Sequence, residues 1–268
     1  MLLGSLKVAE VHAPYGDSGM VQGALWSSAF AGFHTEVMND GTCRLLTYEP
    51  GFCDPVCQEG LCLGGVCQDY PVTDAGVLTV SGLGEELLVE PQPYPFGGHG
   101  YWTVTERSEL FAGGDQIGVS APGGDFPGFE VTAGGVDDLE LGLENDEIQM
   151  PNGRDHTFTW PPSPEREERV RLTLNANNEF HGAPYLAIIE CDAPAADGAI
   201  TIPREMVEAF PPTEHWDACA GSDCPLSHAM LYRRGVAGAG DGEVELLVGS
   251  EVLFYLVHPA ADGTTSLR

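Results

Sequence analysis

The chain has 268 residues and a mass of 28.5 kDa, with 41 acidic residues against 11 basic ones, a formal net charge of −30 at pH 7. One lysine, Lys7, and ten arginines, of which only Arg233 and Arg234 are adjacent, exclude a nucleic-acid partner, and anionic membrane surfaces are disfavoured for the same reason. No apolar run reaches the ~18 residues that a membrane span needs, and 35 Gly with 20 Pro point to a turn-rich, all-β chain with apolar residues to spare for a core.

The first segment, 1–48, reads as N-terminal strands that pack on a main sandwich. Short β-type runs occur at Leu6–Val11, Phe33–Met38 and Cys43–Tyr48, the last two joined by Asn39-Asp-Gly41 as a hairpin turn. The opening Met1-Leu-Leu-Gly-Ser-Leu-Lys7 lacks the basic start and full apolar stretch of a signal peptide, so an export signal is expected to have been removed or to lie upstream. Gly16-Asp-Ser-Gly19 looks like the nucleophile loop of chymotrypsin-type proteases. With too little chain before Ser18 to hold a His and an Asp on a barrel, it reads as a polar turn. Other common hydrolase and phosphate-loop signatures are absent.

Residues 49–70 form a second segment around Cys53, Cys57, Cys62 and Cys67, too short and glycine-rich to own a hydrophobic core, so disulfides must hold it together. Adding Cys43 makes five cysteines here, and Cys191, Cys219 and Cys224 make three further on. Both groups are odd, so full pairing requires at least one bridge between them. Cys43 with Cys191 is the expected pair, joining two strand-like runs across layers, and Cys219 with Cys224 would close a small loop. Eight cysteines so arranged imply an oxidising compartment, outside the cell or on its surface.

From residue 71 to 268, strand-like runs recur every ten to fifteen residues, with a possible sub-boundary near 145–165. They include Val77–Ser81, Tyr101–Thr105, Gln116–Ser120, Phe129–Thr132, Leu139–Leu143, His156–Trp160, Val170–Leu174, Tyr185–Cys191, Ala199–Ile202, Met230–Arg233, Val244–Val248 and Val252–Val257. Period-two alternation with Gly and Pro punctuation predicts an antiparallel β-sandwich, or two packed in tandem. A single short helix is predicted over Pro203–Phe210, with proline in its first turn and Pro211-Pro212 as its stop.

Asp40-Gly-Thr-Cys43-Arg-Leu, the Cys53–Cys67 knob, Phe111-Ala-Gly-Gly-Asp-Gln-Ile-Gly-Val-Ser-Ala-Pro-Gly-Gly124, Phe158-Thr-Trp-Pro161 and Asp197-Gly-Ala-Ile-Thr-Ile-Pro203 together resemble exported Cys-rich lipoproteins of the myxobacterial type. The resemblance spans residues 40–205 and implies a surface or extracellular β-protein. It carries no catalytic residues to this chain.

Three groups of side chains have the chemistry of a site. His99, Tyr101 and Trp102, beside Tyr94 in Pro93-Tyr-Pro-Phe-Gly-Gly98, form an aromatic, glycine-rich loop suited to a sugar ring, and His181 on a second loop could face it; the competing reading places Trp and Tyr in the core. Asp137, Asp138, Asp146 and Glu147, within a stretch that also holds Glu140 and Glu144, are of the type that coordinates calcium, although a strand with a solvated acidic face explains the same alternation. His215, Cys219, Cys224 and His228 have zinc-ligand spacing, but an oxidising compartment favours the plain Cys219–Cys224 disulfide. A copper or iron centre built from the dispersed His12, His34, His99, His156, His181 and His258 is a further arrangement that spacing alone leaves open. The expected function is binding or structural, with an extracellular protein or glycan as partner. A secreted metal-dependent or carbohydrate-active enzyme is the alternative.

Overall fold

The computed structural model describes residues 1–28, 32–49, 51, 53–57, 60–63, 65–68, 71–93, 98–143, 145–165, 167–176, 185–213 and 226–259. In chain order the strands are β1 (Leu2–His12), β2 (Ser18–Trp26), β3 (Thr35–Asn39), β4 (Cys43–Thr47), β5 (Leu61–Leu63), β6 (Val66–Gln68), β7 (Val72–Thr73), β8 (Leu78–Ser81), β9 (Leu87–Val89) and β10 (Gln92–Pro93). They continue with β11 (His99–Thr105), β12 (Gln116–Ala121), β13 (Phe129–Gly134), β14 (Glu147–Gln149), β15 (His156–Thr159), β16 (Arg169–Asn175), β17 (Ala187–Pro194), β18 (Ala199–Ile202), β19 (Ser227–Ala239) and β20 (Gly242–Val257). Among the described residues one α-helix, α1 (Arg204–Ala209), falls where Pro203 and Pro211 predict it; the Arg204 amide donates to the Asp155 carboxylate.

A 12-stranded sheet runs β10, β11, β2, β1, β20, β19, β16, β17, β4, β3, with β7 added to β2 and β14 to β20. Pairing is antiparallel except for β1 and β14 on β20. Of the N-terminal strands, β1 and β2 therefore sit in the middle of the main sheet, and β4 and β3 at one end of it. A second sheet of four strands runs β13, β12, β8, β9, and β15 pairs with β18 alone.

Strand register decides which side chains share a face. Val8 lies opposite Val21 and Val248, Ser250 opposite Leu231, Leu231 opposite Val170, and Leu172 opposite Cys191, so one face is continuous from β2 to β17. Two layers cover it. The four-stranded sheet lays Leu78, Val80, Ile117, Val119 and Val131 against Leu6, Val8, Leu246 and Val248. Further along, β15, β18 and α1 bring Phe158, Ile200, Ile202, Met206 and Val207 onto Leu172, Leu174 and Ile189. Each such side chain taken fully from water contributes about 1.5–3 kcal/mol, which is what holds the layers together.

The Cys43–Cys191 disulfide forms as expected, but within the sheet and not across layers: the two residues are direct partners on β4 and β17. Cys53–Cys62 and Cys57–Cys67 staple the β5–β6 hairpin. One expected strand is absent and one strand was not expected. Leu139–Leu143 is not a strand, because the Leu139 amide is taken by the Ser250 hydroxyl and the Leu143 amide turns back on the Leu141 carbonyl, leaving no ladder. β2 was not anticipated, since Gly19 and Gly23 break its pattern. A Cβ on Gly23 would stand 2.4 Å from the Leu6 side chain, so glycine is what lets β2 lie close to β1.

Candidate functional site

The opposite face of the large sheet carries the most chemistry. There Lys7 lies opposite Gln22 and Leu247, Gln22 opposite Trp102, Glu251 opposite Met230, Met230 opposite Arg171, and Thr173 between His228 and Glu190. These side chains, with Ser5, Ala24 and Trp26, line a cleft of about 470 Å³. The lining comes from seven neighbouring strands, β11 to β17 in sheet order. Laid flat they would span roughly 29 Å. That they meet around one cavity means the twisted sheet curls into a trough on this side.

At its floor the Lys7 ammonium donates to both carboxylate oxygens of Glu251, at 2.9 and 2.8 Å. Glu251 is only 2% exposed. Burial pushes its carboxyl up, but the Lys7 charge, then His228 and the Lys7 hydrogen bond, outweigh it and leave Glu251 below the usual carboxylate range. His228 Nε2 lies 3.5 Å from Glu251 Oε1. Burial, aided by Lys7 and Arg171, depresses its imidazole against the pull of Glu251 and Glu190, so His228 stays neutral near pH 7.

The other charges of this face are also paired. Arg171 sits over the Tyr232 ring, 5.0 Å from its centroid, and bonds Asp192 at 3.1 Å. Asp192 also accepts from Arg169 and from the Tyr232 hydroxyl, both at 2.5 Å. Arg44 Nη2 donates to Glu190 at 2.7 Å, and Arg234 Nε to Glu245 at 2.6 Å, beside the Ser5 hydroxyl that donates to the same carboxylate. Five of the eleven basic residues thus occupy one face of a strongly acidic protein, each against a carboxylate.

Of the residues predicted to bind ligand, Trp102 lines this cleft and is 39% exposed. Tyr101, its neighbour, is buried on the covered face, where its hydroxyl donates to the Gly76 carbonyl at 2.9 Å and accepts from the Ala75 amide at 2.8 Å. Its role there is to hold the turn before β8. His99 opens β11 with Nδ1 3.8 Å from Asp74 and stands apart from the cleft. Tyr94 and His181 lie outside the described residues.

The calcium residues do not gather. Asp138 and Asp146 line a hollow of about 730 Å³ with His12, whose Nε2 is 3.4 Å from Asp138. Asp137 turns instead towards Gly113, and Glu147 pairs with Tyr255 in β14 and β20. Among the described residues, the one group of three ligand atoms within 4.8 Å of one another is Cys53, Cys57 and Cys62, which are committed to disulfides. That finding also separates His12, His34, His99, His156 and His258 as a metal set. His34 bonds the Tyr185 carbonyl, and His258 lies between the carbonyls of Met150 and Phe210. His215, Cys219 and Cys224 lie outside the described residues, and His228 belongs to the cleft.

Sequence reasoning missed Lys7, Gln22, Trp26, Arg171, Glu190 and Glu251. The signal available was Lys7 itself, the one lysine of the chain, placed in an alternating apolar strand.

No known family matches the chain, and no curated protein does. Among solved structures, that of the chicken CNTN1 FN1-FN3 domains aligns with 89% of this chain and 75% of its own, at 9% identity and a TM-score of 0.19, a likeness too slight to argue from.

Proposed function

We propose that this is an exported, non-catalytic binding protein whose cleft takes a neutral carbohydrate. One observation carries the reading: an exposed tryptophan walls a cleft whose floor is rich in donors and acceptors yet internally neutral. A sugar ring offers an apolar C–H face to an aromatic side chain and hydroxyls to mixed polar groups. A charged ligand would instead have to break into an existing ion pair and leave a buried charge behind, which costs several kcal/mol. The net charge of −30 adds general repulsion of anions.

Against an enzyme stands the state of the acids. A general acid needs a raised pKa, whereas Glu251 is held down by Lys7, and Glu190 is tied to Arg44. Export is supported by the three disulfides among the described residues, two of them in a knob with no core of its own, and by the resemblance to exported Cys-rich lipoproteins. Titration calorimetry with the cello-, malto-, laminari- and chito-oligosaccharide series tests the reading. Binding by at least one series, lost in Trp102→Ala with the melting temperature unchanged, is expected. No binding across all four series overturns the carbohydrate assignment, and release of shorter sugars overturns the non-catalytic one.

A further inference from the structure

Trp102 is not the one aromatic platform of the cleft. On β2, Gln22, Ala24 and Trp26 alternate onto the cleft face, and Gln22 is the direct partner of Trp102. Trp26 therefore stands four residues along from Trp102, roughly 13 Å at the rise of an antiparallel strand, which exceeds the width of one pyranose ring. The side chain between them is Ala24, too small to divide the floor, and exposed Gln22 offers an amide donor and acceptor beside Trp102. Beyond Trp102 on the same face, Val104 is 67% exposed opposite Met20. The paired charges of Lys7, Glu251, Arg171 and Glu190 form the other side of the same hollow.

We infer that the cleft binds a linear oligosaccharide lying along β2, with separate rings on Trp102 and Trp26, and not a single terminal ring. This rests on the carbohydrate reading above and narrows it to a chain. A lone ring can cover one platform only. A chain covers both, and once the first ring is held, the second contact costs little further ordering, so affinity must grow with length.

Calorimetry with members of one to five rings from the four series above tests the inference. The expected result is at least a tenfold gain in affinity, ~1.4 kcal/mol, between one ring and four in the series that binds. Trp26→Ala should erase that gain while leaving the shortest bound member unaffected, and Trp26→Phe, which keeps a platform, should restore most of it. Far-UV circular dichroism and melting of both variants separate loss of a platform from loss of fold. A single ring bound as tightly as four, or Trp26→Ala weakening all lengths alike, overturns the chain while the carbohydrate reading stands. Absence of binding at every length overturns both.

Discussion

Replacing Lys7 by Met keeps the aliphatic stem and removes the one cation bonded to Glu251. That carboxylate is 2% exposed, so the variant holds a buried charge with only His228, 3.5 Å away, to answer it. Breaking one partner out of such a pair costs about 3–5 kcal/mol, which for a chain of this size lowers the melting temperature by roughly 6–10 °C at pH 8. The pH dependence separates this account from simple loss of packing. In the native protein Glu251 and His228 both titrate below their ordinary values, so the unfolded chain takes up protons that the folded one refuses, and stability falls with acid, first below 6.5 and then below 4.5. In Lys7→Met the lysine no longer disfavours a proton on His228, while Glu251 still attracts one. Histidine protonation then replaces the lost cation, and the stability gap between native and variant narrows from pH 8 to pH 5.5. Removing both charges, in Lys7→Met/Glu251→Leu, should recover most of the loss. Urea unfolding of the four proteins of the cycle at both pH values measures all three effects. A cost under ~1 kcal/mol for Lys7→Met at pH 8, or a gap that ignores pH, would refute the reasoning.

The Cys43–Cys191 bridge closes a sequence separation of 148, for which chain entropy gives about 5 kcal/mol; guanidinium unfolding of Cys43→Ala/Cys191→Ala should approach that loss, and less than ~1 kcal/mol would mean the unfolded chain is hardly constrained by it. Tyr101→Phe strands the Ala75 amide and the Gly76 carbonyl and should cost about 1–3 kcal/mol in thermal melts with sugar affinity unchanged, unlike Trp102→Ala. Glu10, buried at 5% exposure, accepts from the amides of Leu110 and Phe111 at 2.5 and 3.1 Å; Glu10→Ala should speed hydrogen exchange at those two amides, and unchanged protection there would show that other contacts pin the segment.

Local signals were well preserved between sequence and structure. The turn at Asn39-Asp-Gly41 is legible because the Asp40 carboxylate caps the amides of Thr42 and Cys43 and Gly41 sits at φ 93°. Cysteine parity found the long-range bridge, and the prolines bounded α1. The cleft was legible only at Trp102 and at His228, the latter read as a zinc ligand. Its polar members come singly from separate strands, and Lys7 meets Glu251 across 244 residues, a juxtaposition with no local pattern. Trp26 was hidden for another reason. Gly23, which lets β2 lie close to β1, and Gly19, which sits against Thr105 and Arg107, are the same residues that argue against a strand when read one residue at a time. At Leu139–Leu143 the alternation suggested a strand, but Ser250 had already claimed the Leu139 amide.

The parallel seam between β1 and β20 sets the timing of folding. Lys7 faces Leu247 and Val8 faces Val248, so the centre of the main sheet closes only when residues 240 apart in sequence meet. Bringing such distant points together costs about 5 kcal/mol of loop entropy before any contact repays it. During synthesis at ~5–20 residues per second, β1 waits roughly 12–48 s for its partner, with β2 alone to pair with. Both covering layers rest on that sheet, and no earlier hairpin can finish either core alone. Neither core can therefore close until β20, which gives Val244, Leu246 and Val248 to one and Phe254 and Leu256 to the other, has been made.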